Sequence, residues 1–280
     1  MTARLQIVHT TRYLYDGLVS SSYNEARLTP QTTTDQLTLE STVHASPTAT
    51  VQRYWDYWGT QVTAFDLHTP HDRLEVVASS LVETGPYVPP AEVFDWELLR
   101  SPAVLDDYSE FLAPTPYTPT ESRLADVAAE VAAQPDPLAA AEAAAQTVHG
   151  QLRYVSGTTG VHTTAVEAWE SGSGVCQDFA HLTLTLLRSA GIPARYVSGY
   201  LYPVKDAEPG STVVGESHAW VQAWVGDWVA IDPTNLSQVA ERHVKVATGR
   251  DYSDVSPLRG LYTGAGRSKL EVTVQMTRLR

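Results

Sequence analysis

Cys176 is the only cysteine in this 280-residue chain, and it lies where a thiol can be made reactive. It follows the flexible run SGSGV at 171–175 and opens a segment with helical spacing that stops at Gly191. A thiol in the first turn of a helix faces unpaired backbone N–H groups, which stabilise the thiolate over the thiol. A lone cysteine is more often a small buried hydrophobe. Its position at the start of a helix nevertheless makes Cys176 a candidate nucleophile.

His218 is the best candidate for a base among nine histidines, because a predicted β-hairpin follows it. The hairpin comprises two alternating runs around Gly226 and Asp227. If its loop has three residues, His218 lies on the same sheet face as Asp232, as a diagonal neighbour. A two-residue loop would put the two side chains on opposite faces. The loop length therefore decides whether they can meet.

Asp232 ends the second strand of this hairpin, just before Pro233. An aspartate at that position can simply begin a turn. In the functional interpretation, its carboxylate accepts a hydrogen bond from one imidazole nitrogen and leaves the other nitrogen to take the thiol proton. The predicted catalytic residues are Cys176, His218 and Asp232.

Other polar residues near the predicted site have different expected roles. Asp178 in the first helical turn is expected to complement the helix dipole rather than act chemically. His181 lies about 140° around the helix from Cys176 and should face elsewhere. The second donor of an oxyanion hole is left open, with three candidates: Tyr154, Trp169 and Gln177.

The elements that must position these residues fall into three parts. Residues 1–85 alternate as short strands and predict an antiparallel β-domain. Residues 86–119 are proline-rich and predict an irregular connection with a short helix near residues 94–99. From residue 120 helices precede consecutive strands, which predicts an α+β catalytic core over 120–280 rather than a doubly wound sheet. Thr120 is expected to cap a helix that ends near Ala133, and Thr164 has capping-box spacing to Glu167.

Net charge, apolar runs and the content of cysteine and histidine indicate which partners and cofactors are not expected for this protein. The net charge of −13 disfavours a nucleic-acid partner. We expect no membrane partner, since no run approaches the roughly 20 apolar residues of a span. The N-terminal residues lack the apolar core of a signal peptide, so we expect a cytoplasmic protein. One cysteine and scattered histidines give no ligand spacing, so no metal or cofactor is expected. The oligomeric state is not indicated.

Several blocks of the sequence resemble bacterial transglutaminase-like proteins. These blocks are GVCQDFAHL at 174–182, GIPARYVSGY at 191–200, SHAWV at 217–221, DPTN at 232–235 and GRDYSDV at 249–255. The region before residue 85 is similar to the accessory domain of that family. The resemblance implies a papain-like core with a Cys-His-Asp triad at Cys176, His218 and Asp232. Gln222 departs from the pattern, since such proteins often carry Glu there.

The leading hypothesis is cysteine-dependent acyl transfer or hydrolysis at a peptide or glutamine-type amide through a thioester. Hydrolysis is favoured over cross-linking, because water needs no second binding site. The alternative is a catalytically inactive protein- or peptide-binding module, with Trp220, Trp224 and Trp228 forming a recognition surface. Core packing of at least two of these tryptophans is the more ordinary interpretation. The segment 201–216 is expected either to border the cleft or to move over it.

Overall fold

The computed structural model describes residues 2–205, 207–264 and 266–280, apart from the side chain of Glu216. The strands, numbered along the chain, are β1 Ala3–Ala26, β2 Gln36–Ser46, β3 Val51–Trp55, β4 Gln61–Leu67, β5 His71–Thr84, β6 Arg153–Tyr154, β7 Ser173–Gly174, β8 Ala194–Leu201, β9 Thr212–Trp224, β10 Trp228–Ile231, β11 His243–Gly249, β12 Leu258–Gly264 and β13 Ser268–Arg278. The α-helices are α1 Trp96–Leu99, α2 Pro102–Asp107, α3 Ser109–Leu112, α4 Ala125–Ala132, α5 Pro137–Gln151, α6 Ala165–Ser171, α7 Cys176–Ser189 and α8 Tyr252–Val255.

The long strand β1 organises the N-terminal region. It pairs antiparallel with β5 along most of its length and with β4 and β12 near its end. Alternate residues Ala3, Leu5 and Ile7 are buried, as expected for a strand with one face on a core. The predicted antiparallel β-region is therefore present.

The second sheet region positions the predicted site. Strands β11, β8, β9 and β10 lie side by side in that order, all antiparallel. Helix α7 packs on β8 and β9, and its leucines share one hydrophobic core with Val221 and Ala223 of β9. A helix laid on an antiparallel sheet matches the predicted α+β class.

The C-terminal strand β13 joins the two regions. It pairs with β1 from Leu5 to Tyr15 and with the first part of β9 through Val274 and Met276. Within the described residues, 11 strands therefore form one continuous sheet, and β6 and β7 form a separate two-stranded ladder. The division at residues 85 and 119 stays a prediction. However, β12 and β13 pair with β1, so the last strands lie against the N-terminal region.

The structure differs from the sequence predictions at the helix expected to begin after Thr120 and in the number of helices in the proline-rich connection. Thr120 does not cap a helix, because a 3₁₀ turn at Ser122–Leu124 intervenes and α4 begins at Ala125. The connection over residues 86–119 contains three short helices rather than one. The capping box of α6 forms as predicted, with Thr164 and Glu167 hydrogen-bonding each other's backbone N–H groups. Among the described residues, no helix combines the length and apolar character needed to cross a membrane.

Candidate active site

The side chain of Asp178 holds the start of helix α7 in place, and it packs against Gly174. Asp178 Oδ2 accepts hydrogen bonds from the backbone N of Val175 at 2.8 Å and from Thr159 Oγ1 at 2.6 Å. A Cβ atom at Gly174 would lie 2.7 Å from the Asp178 side chain, so only glycine leaves room for this contact. Burial raises the pKa of the Asp178 carboxyl, and the hydrogen bonds partly oppose the shift. Asp178 thus fixes the turn that presents Cys176, the structural role expected for it.

The β9–β10 hairpin has the register that brings base and carboxylate together. Trp228 pairs with Trp224, and Ile231 pairs with Val221. The loop therefore has three residues, 225–227, which is the first of the two alternatives left open by the sequence. Side chains two apart on a strand share a face. His218 and Asp232 consequently lie on the same face of the sheet.

The structure brings Cys176, His218 and Asp232 into one chain of contacts. His218 Nε2 lies 2.9 Å from Asp232 Oδ2, and the two side chains are almost entirely buried. The same imidazole interacts with the Cys176 side chain, which is only partly buried. Because Nε2 is engaged by Asp232, Nδ1 is the nitrogen left for the sulfur.

Charge around His218 favours its protonated form. Burial alone lowers the pKa of the imidazole, but its hydrogen bond to Asp232, its interactions with Cys176 and the negative charge of Asp232 raise it to about 9. Burial likewise raises the pKa of the Asp232 carboxyl, yet its contacts with His218, His243 and Asn235 hold it well below its usual range. At neutral pH the pair is therefore an imidazolium and a carboxylate.

Two residues beyond the predicted three complete the surroundings of Asp232. Asn235 donates its Nδ2 to Asp232 Oδ2 at 2.9 Å, and its backbone N donates to Oδ1 at 3.1 Å. His243 Nε2 lies 3.3 Å from Asp232 Oδ2, while its Nδ1 accepts from the backbone N of Ala240 at 3.4 Å. The sequence indicated the position of Asn235, because an aspartate at the end of a strand predicts an Asx-type turn over the residues that follow it. The sequence did not indicate His243, since β11 reaches the site only through its pairing with β8.

The same carboxylate and two imidazoles could also act as metal ligands. His218, Asp232 and His243 each present one ligand atom within 4.8 Å of the other two. A cation bound through His218 Nε2 and Asp232 Oδ2 would replace the hydrogen bond between these two atoms.

A cleft of about 350 Å³ lies beside His218. Its walls include Leu201, Pro203 and Val214 from the segment predicted to border the cleft. Tyr154 lines the cleft as well, alone among the three candidate oxyanion donors. The side-chain amide of Gln177 instead donates to the Val161 carbonyl at 3.2 Å.

His181 and the three tryptophans singled out from the sequence do not line the cleft beside His218. His181 is fully buried, accepts a hydrogen bond from the backbone N of Tyr252 and has a pKa that burial lowers to about 3. Trp220 is buried, with its ring edge-on to His243. Trp224 and Trp228 are partly buried and share ring contacts with Tyr108. The three tryptophans therefore do not form a common exposed surface.

The comparisons with known proteins agree with this architecture. Residues 125–233 match the model of the transglutaminase-like superfamily, and residues 5–83 match that of the bacterial transglutaminase-like N-terminal region. An uncharacterised protein of Mycobacterium leprae is 49% identical over 99% of both chains. A solved structure from Cytophaga hutchinsonii, titled as a proposed cysteine protease, is similar with a TM-score of 0.79 and 23% sequence identity. The match covers 100% of this chain and 92% of the Cytophaga chain.

A more distant relative carries the name of a transferase. The protein-glutamine gamma-glutamyltransferase of Pseudomonas aeruginosa is 35% identical over 28% of this chain and 12% of its own length. The matched core region spans helix α7, which begins at Cys176, and the hairpin that carries His218 and Asp232. The chain belongs to the transglutaminase-like superfamily, and carries the bacterial N-terminal region of that family as well.

Proposed function

We propose that the protein is a cysteine-dependent enzyme that cleaves amide bonds in peptides or glutamine side chains through a thioester. The observation that carries the proposal is the contact chain from the Cys176 sulfur through the His218 imidazole to the buried Asp232 carboxylate. A thiol, an imidazole and a carboxylate in that order supply a nucleophile, a proton carrier and an orienting group. Membership of the superfamily supports cysteine-based catalysis at this coarse level.

In the first half of the proposed reaction the Cys176 thiolate attacks the carbonyl carbon of the amide. A carbon–sulfur bond forms, and the carbonyl electrons move to the oxygen. The tetrahedral intermediate then collapses, the carbon–nitrogen bond breaks, and the His218 imidazolium gives its proton to the leaving amine. Asp232 keeps the imidazole oriented throughout, because its Oδ2 is hydrogen-bonded to Nε2.

In the second half an acceptor resolves the thioester. Neutral His218 takes a proton from water as the water oxygen attacks the thioester carbon. The carbon–sulfur bond breaks, a carboxylic acid leaves, and the thiolate and imidazolium are restored. A primary amine in place of water would give a new amide, which is transamidation. Hydrolysis is the favoured outcome, because water needs no second binding site.

The cleft beside His218 indicates which substrates the enzyme would accept. Its walls include the apolar side chains of Leu201, Pro203 and Val214 together with Tyr154. Burying apolar substrate groups against such walls contributes roughly 25 cal/mol per Å². We therefore expect peptides with apolar residues beside the reacting amide to be preferred over highly charged peptides.

Incubation with glutamine-containing peptides tests the proposal. The native protein should release ammonia or cleaved peptide, and Cys176→Ala should release neither, because the nucleophile is lost. A second incubation contains a labelled primary amine. Product without amine incorporation identifies hydrolysis, whereas incorporation identifies transamidation. Equal product formation by native protein and Cys176→Ala would contradict the catalytic role.

A further inference from the structure

A second cavity is lined by two cationic side chains for which no salt bridge is formed among the described residues. It has a volume of about 380 Å³ and is bordered by residues 33–35, residues 87–90 and the sheet strands β8 to β11. Arg195 and Lys245 both line it. Within the described part of the chain, neither cation forms a salt bridge with a carboxylate, while twelve ion pairs form elsewhere and at the triad.

Strand pairing places these side chains on one face of the sheet. Arg195 of β8 pairs with Gln222 of β9, and Lys245 of β11 pairs with Gly199 of β8. Gly199 in turn pairs with His218, so the same face also carries the proposed base. The cavity is nevertheless separate from the cleft beside His218, because the two share no lining residue.

Arg195 is held in place by neutral groups alone. Its Nε donates to Gln222 Oε1 at 2.9 Å, and its guanidinium lies 4.0 Å from the centre of the Trp228 ring. Burial lowers the pKa of Arg195 to about 10, so the group is still charged at neutral pH. An aromatic face and an amide orient a guanidinium but do not neutralise it.

The positive charge of Lys245 is likewise not paired with a carboxylate in a salt bridge among the described residues. Its backbone is fixed by Gln36, whose side chain donates to the Lys245 carbonyl and accepts from its N–H, both at 2.8 Å. Burial lowers the pKa of the Lys245 ammonium, and the positive charge of Arg195 lowers it further, against a weaker opposing effect from Asp35. Two like charges held near each other in a half-buried site destabilise it unless an anion enters.

The acidic groups that border the cavity are engaged elsewhere. Asp35 is exposed and its Oδ1 accepts from Thr33 Oγ1 at 2.6 Å. Asp227 is exposed as well, and its Oδ1 accepts from the backbone N of Trp228 at 2.7 Å. Within the described residues, neither carboxylate forms a salt bridge with Arg195 or Lys245, although Asp35 acts on Lys245 from a distance.

We propose that this cavity is a binding site for a small organic anion, with Arg195 and Lys245 holding its carboxylate or phosphate group. The cavity is larger than a bare ion needs, and Tyr87, Val88, Pro89 and Pro90 give it an apolar wall. The ligand class is accordingly an oxyanion attached to an apolar body. Paired cations of this kind make charge-assisted hydrogen bonds with either oxyanion.

Calorimetric titration of the full chain with three matched probes tests the proposal at constant ionic strength. The probes are phenylacetate, phenyl phosphate and neutral phenylacetamide. At least one anion should bind saturably, and the amide should not bind. Tighter binding of phenylacetate assigns the site to carboxylic acids, and tighter binding of phenyl phosphate assigns it to phosphate esters. Absence of saturable binding by both anions overturns the proposal.

Three variants identify the location of any binding. Lys245→Met should weaken anion binding about tenfold or more, because one charge-assisted contact is lost. Lys269→Met removes an exposed lysine outside the cavity and should leave the affinity unchanged. Gln222→Glu would put a carboxylate beside Arg195 Nε, so it should abolish anion binding and raise the Tm of the ligand-free protein. Native affinity in both Lys245→Met and Gln222→Glu overturns the assignment to this cavity.

Discussion

The carboxylate of Asp232 has every oxygen occupied by a neighbouring hydrogen-bonding group. His218, His243 and Asn235 contact Oδ2 through their side chains, while the backbone N–H groups of Thr234 and Asn235 donate to Oδ1. Such a saturated carboxylate stays ionised and fixed in orientation although it is buried. Together with Cys176, this carboxylate raises the pKa of His218, whereas burial outweighs the same carboxylate at His243 and lowers the pKa there.

The first prediction concerns the titration of His218. Its pKa is raised from 6.5 to about 9, so the protonated ring contributes stability that is fully present below pH 6.5 and is lost as the pH rises through 9. Asp232→Asn should lower this pKa, and the free energy of unfolding should then depend less on pH between 6.5 and about 9. NMR titration of the imidazole together with urea unfolding at several pH values measures both effects. A native His218 that titrates near 6.5 would contradict the assignment.

The second prediction concerns His243 as a positioning residue. The Ala240 N–H donates to His243 Nδ1, so Nε2 carries the proton that faces Asp232. His243→Leu should lower kcat about tenfold with little change in KM, because Asp232 loses one donor and orients His218 less well. His243→Gln retains a donor and should recover part of kcat. A purely structural role predicts that the two variants lose stability and activity in parallel, without a shift in the pH profile.

At the scale of elements, the position of Cys176 depends on a tight turn between β7 and α7. Gly174 leaves room for Asp178, whose carboxylate accepts the Val175 N–H and so fixes the first turn of the helix. Capping of this kind typically stabilises a helix by about 1 kcal/mol. Here it also sets the direction in which the Cys176 side chain leaves the backbone.

The third prediction tests this turn with a pair of glycine variants. Gly174→Ala would place a Cβ 2.7 Å from Asp178, so it should lower the free energy of unfolding by about 1–3 kcal/mol and slow alkylation of Cys176. Gly150→Ala meets nothing within 4 Å in helix α5 and should stabilise by up to about 1 kcal/mol. Urea unfolding and iodoacetamide kinetics measure the two effects. Equal alkylation rates in both variants would show that the turn does not control the thiol.

Local patterns explain which parts of the site were predictable from sequence. The start of α7 and the presence of the β9–β10 hairpin follow from helix-start and alternation signals within a few residues, whereas the length of the hairpin loop does not. His243 and the pairing of β13 with both β1 and β9 depend on contacts between distant segments. Strand propensity does not specify a partner, so those features were not predicted. Thr120 has a capping side chain, but the chain continues into a 3₁₀ turn before α4 begins.

At the scale of the whole molecule, β13 connects the N-terminal region to the strand that carries His218. Met276 is fully buried, pairs with Ile7 of β1 on one side and with Val213 of β9 on the other, and belongs to the same hydrophobic core as α7. A shared core and shared hydrogen bonds couple the two regions. We therefore expect them to unfold as one cooperative unit.

The fourth prediction follows from that coupling. Met276→Ala should lower the free energy of unfolding by about 2–5 kcal/mol, because it leaves a cavity where β1, β9 and β13 meet. Unfolding followed by tryptophan fluorescence and by circular dichroism should remain a single, coincident transition. Two separate transitions, with only one shifted by the variant, would show that the N-terminal region and the core are independent.

Alkylation of Cys176 at pH 6 tests the central claim most directly. The chain has a single thiol, so the rate of iodoacetamide labelling, followed by intact mass, reports on this sulfur alone. Because the protonated His218 stabilises a thiolate, the native protein should react about tenfold or more faster than a folded His218→Ala variant. Equal rates for the two proteins, or an inert thiol in the native protein, would contradict the proposed activation of Cys176.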